Sequence, residues 1–416
     1  MKYNQNIMDT FISGLHVKNI GQFENLDIEF SSNCNIIVGP NSSGKTSILK
    51  FICFCLSEHH LEYMRFKNNA EFWVNANHEN IKYRIGATNI VNKDQDYRRI
   101  EINNWGQVPS ENVDKTLFNH NNNIYNILAI GANRYFDYTQ IQGMQREKNG
   151  QESIRFYREK NIEFLDKPLL PNIKQWMINR YFVIDKDWAK IEKNNWYSIM
   201  KLLPKISPKN SNLKFVKIER DLEPLFSIND KTCYFEELSS GFKSFLSIVF
   251  SIIDWGESIF ENEEALIANI RGTVLIDEID AHLHPEWQSQ IIKNLKLIFP
   301  KIQFIITTHS PHVIASASEN ELIIIPKHNG SINIGPDQRN FKNWQLEFIL
   351  EDLMGLFNYD ENINHYLELL DKFIEKANLA KFDEKLKELE QILHKNDPII
   401  KVYKIKRGNI FLSQEI

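Results

Sequence analysis

The chain has 416 residues, of which 42% are hydrophobic and 25% charged, a balance that excludes disordered and fibrous classes and allows a substantial core. Lys and Arg number 49 against 54 for Asp and Glu, a formal net charge of −5, so the surface is not basic throughout and any nucleic-acid contact has to be local. The longest strongly apolar stretch, Phe245 to Ile253, is about half of what a membrane-crossing helix needs.

The N-terminal residues lack the basic start and long apolar run of a secretory signal. Cys34, Cys53, Cys55 and Cys233 stand in apolar surroundings without metal-site spacing, as expected of reduced thiols in a cytoplasmic protein. From about Ile12 to Phe30 apolar and polar residues alternate in short runs, and Asn35 to Val38 reads as a buried strand leading into a Gly-rich loop and then a helix through about Leu56. Segments such as Phe72 to Val74 and Ile81 to Ile85 predict an antiparallel β-subdomain. After the polar break at 119–123, the strand Ile127 to Ile130 ends in Gly131-Ala132-Asn133-Arg134. The Trp-, Arg-, Lys- and Asn-rich stretch from about Gln140 to Ile218 reads as a helical insertion. An apolar helix from Leu238 to about Trp255, a strand Thr273 to Ile276, a helix from Pro285 and a strand Gln303 to Thr307 then alternate, which implies a parallel sheet with helices on its faces. From about Asn343 the chain is charged and helical, with Tyr366, Leu370 and Phe373, then Leu386, Leu389 and Leu393, on single helix faces. The expected division is an N-terminal lobe over 1–135, a helical insertion over 136–235, a C-terminal lobe over 236–342 and a helical region over 343–416.

Gly39-Pro40-Asn41-Ser42-Ser43-Gly44-Lys45-Thr46, followed by Ser47, fits G-x-x-x-x-G-K-[ST] between a strand and a helix. That context makes it a phosphate loop: backbone N–H groups and the helix start converge on the phosphates of ATP. Lys45 supplies charge to the β- and γ-phosphates, and the Thr46 hydroxyl can ligate Mg²⁺. An ordinary Gly-rich turn would not require the lysine and threonine.

The strand Thr273 to Ile276 ends in Asp277-Glu278, and a buried strand has no structural use for two adjacent charges. Asp277 is expected to hold Mg²⁺ and Glu278 to act as general base on the attacking water, in preference to a plain helix-capping pair. His309, at the end of the next strand, is a candidate to bond the γ-phosphate or orient that water. His282 and His284 sit two apart near Glu278, but no third ligand is evident and a structural role is expected. Leu238-Ser239-Ser240-Gly241 opens the apolar helix with small residues and free N–H groups, a second anion-binding surface.

With these blocks in this order, the sequence resembles the ABC-type ATPases: an α/β P-loop head with a mostly parallel core sheet, an antiparallel β-subdomain, a helical insertion and C-terminal helices. The resemblance implies that Ser239 and Gly241 bind ATP held by a second subunit, that Asp280 reaches across the same interface, and that two subunits sandwich two nucleotides in a homodimer or larger assembly. Ser-Ser-Gly-Phe-Lys-Ser departs from the transporter signature, and the insertion lacks SMC-type heptads. Asp277 to Pro285, Thr307 to Pro311 and Gly131 to Arg134 look like the RecF- and OLD-related group, and most like the stand-alone PtuA-type subunits of Septu and Septu-bearing retrons. That likeness implies an antiphage role beside a separate HNH nuclease. The alternative is a RecF-like ATPase of DNA repair or recombination.

No match to the transporter Q-loop exists; Arg134, Gln140 and Gln142 are the candidates. Two basic runs, Lys201, Lys205, Lys209, Lys214 and Lys217, and Arg146, Lys148, Arg155, Arg158 and Lys160, could meet DNA or retron nucleic acid, although solvated faces are the plainer reading.

Overall fold

The computed structural model describes residues 10–56, 66–90, 106–118, 125–134, 138–146, 150–167, 173–208, 211–326, 331–339, 361–375 and 378–393, with single positions or short runs at 341, 344, 349, 399–400, 402–404 and 406–407. The polar break at 119–123, Lys148, Lys209, the Arg158 side chain and most of 343–360 lie outside the described residues. The chain divides into two compact units, Met1–Ile349 and Leu350–Ile416.

In chain order the first unit contains β1 (Thr10–Ile20), β2 (Phe23–Glu29), β3 (Cys34–Val38), α1 (Lys45–Leu56), β4 (Phe66–His78), β5 (Ile81–Ile90), β6 (Lys115–Phe118) and β7 (Ile127–Ile130). Then come α2 (Gly150–Asp166), α3 (Ile173–Val183), α4 (Lys190–Ile206), β8 (Lys214–Ile218), β9 (Pro224–Ile228), β10 (Lys231–Tyr234) and α5 (Ser240–Ile259). It closes with β11 (Gly272–Ile276), α6 (Pro285–Gln288), α7 (Ile291–Ile298), β12 (Ile302–Thr307), α8 (Pro311–Ser316), β13 (Leu322–Ile324) and β14 (Ser331–Ile334).

Five strands form a parallel sheet in the order β13-β3-β12-β11-β7. Every residue of β3, β7, β11 and β12 is buried. Burial on both faces is why these strands read as largely apolar blocks, with buried polar exceptions such as Asn35, Thr273 and Gln303. A second sheet runs β14-β2-β1-β4-β5-β6. Its central four strands are antiparallel, as the alternating pattern predicts, but β6 and β14 join its edges in parallel. The apolar helix α1 packs against both sheets, so Ile48, Leu49, Phe51 and Ile52 share one core with Val17, Leu26, Val74 and Ile305.

Gln303 on β12 staples the sheets together. Its amide accepts from Ile12 N–H (2.8 Å) and the Thr273 hydroxyl (2.6 Å), and donates to Ile12 O (2.7 Å) and Ser31 O (2.8 Å). A fully buried amide with all four positions matched adds specificity at little desolvation cost.

The insertion contains the expected helices α2, α3 and α4, followed by a small antiparallel sheet in the order β10-β9-β8. The sequence does not predict that sheet, because its outer strands are short and mostly exposed, with lysines breaking the strand pattern. Rings run from Trp176 to Trp196, Phe215, Phe226 and Phe235, with successive centroids 6.2, 5.1, 5.7 and 6.2 Å apart. They carry the packing of the insertion to the turn that precedes α5. Below it, Arg180 of α3 meets Glu257 of α5 at 2.6 Å, both buried.

The second unit contains α9 (Glu361–Glu375) and α10 (Leu379–Ile392), whose apolar faces enclose Leu370, Phe382, Leu386 and Leu389 together with Tyr403. All four cysteines are free, and three are fully buried. Burial pushes the Cys34 thiol up to about 12 and raises Cys53 and Cys55 as well. Among the described residues no helix is long and apolar enough to cross a membrane.

Candidate nucleotide site

The phosphate loop occupies the turn between β3 and α1, at the carboxyl end of the parallel sheet, where open α/β sheets bind ligands. Gly44 has φ +92°, and a Cβ there would lie 2.3 Å from Gln22 Nε2 and 2.5 Å from the Phe23 ring. Only glycine fits. Gly39, Ser43 and Lys45 are buried or half-buried, while Asn41 and Ser42 are exposed at the tip. Lys45 Nζ donates to Gly39 O and Pro40 O, both at 2.9 Å. Burial lowers its pKa, partly opposed by Asp277, Glu278 and Asp280. Ser43 Oγ is buried without a hydrogen-bond partner, and Ser47 is half-buried in the first turn of α1. An orphaned hydroxyl beside a buried ammonium in this loop fits a phosphate ligand.

The end of β11 meets the loop directly. Thr46 Oγ1 donates to Asp277 Oδ1 (3.1 Å) and Oδ2 (2.9 Å), and Thr307 Oγ1 donates to Asp277 Oδ1 at 2.5 Å. Asp277 is 5% exposed. Among the described residues no group of three His, Cys, Asp or Glu could hold a metal alone. One hydroxyl and one carboxylate suit Mg²⁺, which completes its shell with phosphate oxygens and water.

Glu278 is exposed, with φ +45°, and its N–H donates to Thr307 Oγ1 at 2.8 Å. A non-glycine residue in this region costs energy and turns the side chain out of the strand line. Asp280 Oδ1 accepts from the Thr308 hydroxyl and from His309 N–H. Half-buried His309 has its pKa lowered by burial and then by Lys45, with the three carboxylates opposing. Near neutral pH it is a neutral imidazole, able to donate one hydrogen bond and accept another. His284 caps α6, its Nδ1 accepting from Glu286 N–H at 3.5 Å.

A sequence profile for the RecF/RecN/SMC N-terminal domain matches residues 11–333. The chain belongs to the RecF/RecN/SMC family. Septu protein PtuA of Bacillus thuringiensis is 30% identical over 409 residues, covering 95% of this chain and 97% of that one. Septu protein PtuA of Bacillus mycoides (strain KBAB4) is 26% identical over 376 residues, 87% of this chain but 47% of that protein. The protein named "Retron Ec83 probable ATPase" of Escherichia coli is 31% identical over 176 residues, 42% of this chain and 30% of that one. The chain thus spans nearly all of the first relative and half or less of the other two.

In this member of the RecF/RecN/SMC family, Ser239 is the N-cap of α5, its hydroxyl accepting from Phe242 N–H at 3.5 Å. Ser239 and Ser240 are exposed and Gly241 is buried in the first turn. Among the described residues Ser239 makes no hydrogen bond to the phosphate loop of its own chain. Gln140 and Gln142 are exposed in an irregular segment. Arg134 is buried and donates to backbone carbonyls at the end of β11. In the basic runs, Arg146, Arg155, Lys160, Lys214 and Lys217 each lie beside a carboxylate, as solvated faces do. Thr307 was not singled out for a role from sequence, although its hydroxyl serves both Asp277 and Glu278; its signal was a hydroxyl residue ending the strand next to the acidic one.

Proposed function

We propose that the chain binds ATP with Mg²⁺, closes with a second copy into an ATP-sandwich dimer, and hydrolyses the ATP as the ATPase subunit of an antiphage defence system. The observation that carries this reading is the contact of Thr46 with buried Asp277 beside buried Lys45. Near full-length similarity to Septu protein PtuA supports the defence role.

In this reading the loop N–H groups and Lys45 neutralise the β- and γ-phosphates. Thr46 and Asp277 would hold Mg²⁺, which supplies charge neutralisation across the phosphate oxygens. Exposed Glu278 takes a proton from the attacking water, and neutral His309 holds that water or a γ-phosphate oxygen. Ser239 and Gly241 serve the nucleotide of the second copy, with Asp280 at the same interface. The partner under control is an HNH-type nuclease. A RecF-like DNA clamp has weaker support, since five basic-run side chains already face carboxylates.

Glu278→Gln tests the core of the reading. With ATP and Mg²⁺ it should double its mass in light scattering, and its hydrolysis should fall about a hundredfold or more, the worth of a general base. Unchanged turnover refutes the role of Glu278, and a persistent monomer refutes the sandwich. Co-purification with the product of an adjacent nuclease gene tests the partner; separation of the two on a sizing column counts against it.

A further inference from the structure

Arg134 is 3% exposed, and its guanidinium joins three parts of the site. Nη1 donates to Asp277 O (3.0 Å) and to Gly131 O (2.5 Å), Nη2 donates to Glu278 O (2.6 Å), and Nε donates to Ser244 Oγ (2.9 Å). Ser244 is fully buried in the second turn of α5 and donates in turn to Ala281 O at 3.3 Å. The Arg134 fork is therefore bonded at once to both residues of the acidic pair and to the helix that begins with Ser239, Ser240 and Gly241.

Local structure holds the fork in place. Gly131 N–H donates to Phe164 O at 2.9 Å, and a Cβ at Gly131 would lie 2.3 Å from Leu165 O, so the turn after β7 is seated on the end of α2. A buried guanidinium needs acceptors on every side. Here two of the four are carbonyls of the acidic segment, so the guanidinium does not occupy the carboxylates of Asp277 and Glu278. A planar, rigid fork transmits displacement better than a lysine ammonium on a flexible stem. Burial lowers its pKa to about 10, so it remains charged near neutral pH.

We infer that Arg134 is a positioning residue: it fixes the backbone of Glu278 and ties it to α5, so that engagement of Ser239 and Gly241 with the second copy's ATP adjusts the base of this copy's own site. The cross-site half of this inference rests on the ATP-sandwich reading above; the positioning half does not. Small displacements matter because a general base misplaced by about 1 Å loses up to about a hundredfold in rate.

Ser244→Ala cuts the link to α5 while leaving the Arg134 contacts to carbonyls intact, and Arg134→Lys removes the fork while keeping the charge. For both, kcat, the dissociation constant for ATP and the Hill coefficient for ATP are measured, with thermal melting as the check on folding. Ser244→Ala should lower kcat about tenfold with ATP affinity unchanged within about twofold, and its Hill coefficient should fall to one. Arg134→Lys should lose more rate than Ser244→Ala. In a Glu278→Gln background Ser244→Ala should add no further loss, because the group it positions is already gone. Equal losses of rate and affinity, or a full additional loss on top of Glu278→Gln, overturn the positioning role. Should Arg134→Lys fail to fold, Ser244→Ala decides alone. A wild-type chain that stays monomeric with ATP overturns the sandwich and the cross-site half, while the split between kcat and affinity still decides the positioning half.

Discussion

The hydroxyl of Thr46, in the first turn of α1, donates to both carboxylate oxygens of Asp277 at the end of β11, at 3.1 and 2.9 Å, across 231 positions of sequence. The parallel order β3-β12-β11 brings the two strand ends to one rim, with Thr307 of β12 bonded to the same carboxylate.

Thr46→Val keeps the branched shape and removes the hydroxyl. A hydrogen bond to a charged group is worth about 1.5–3 kcal/mol. Mg²⁺-dependent ATP affinity should accordingly fall roughly tenfold to a hundredfold. Calorimetric titration with and without Mg²⁺ checks this; an equal loss without Mg²⁺ would mean that the hydroxyl serves the loop and not the ion.

His309 should titrate below the ordinary imidazole value of about 6.5, since burial and Lys45 both disfavour its charged form. With the folded pKa depressed, the unfolded chain binds more protons between the lowered value and about 6.5, so this group's contribution to stability is lost as pH falls through that window. NMR titration of the ring and the acid limb of kcat should both place the midpoint below 6.5. A midpoint above it would contradict the neutral role.

Arg180 and Glu257 tie the insertion to α5, and the Glu257 carboxylate also accepts from Asn195 Nδ2 at 2.9 Å. Burial pushes Glu257 up to about 7, with Arg180 opposing. Arg180→Met leaves a buried carboxyl without its cation and should cost about 3–5 kcal/mol. A raised carboxyl loses its stability contribution as pH rises through its folded pKa, so the melting temperature of the variant should drop further at pH 8 than at pH 6. An equal drop at both would remove Glu257 from the explanation.

Alkylation should find Cys233 first. It is half-buried, with its pKa raised by burial and Glu237, whereas Cys34, Cys53 and Cys55 are fully buried with strongly raised pKa values. Thiolate is the reactive form. Mass spectrometry after brief iodoacetamide treatment of the native protein should show label at Cys233 alone; early label at Cys53 would mean that the α1 core opens.

The core strands and the phosphate loop were legible because buried parallel strands leave largely apolar runs, and because Gly44, Lys45 and Thr46 are each required by a local backbone or ligand geometry. The sheet β8 to β10 was not legible: Lys214, Lys217 and Lys231 face solvent, and Phe215 packs on Trp196 of α4 and on Phe226, contacts that only the fold reveals. The same holds for β6 and β14, short strands whose pairing depends on the edges they join.

Local chemistry along the chain determined which residues could handle phosphate, magnesium and a proton, since each motif carries its own reason for its residue types. Tertiary structure decided what those residues touch. Arg134, a candidate for the Q-loop position, donates to the carbonyls of Asp277 and Glu278 and to Ser244, because the partners of a buried guanidinium are chosen by the acceptors that packing brings around it.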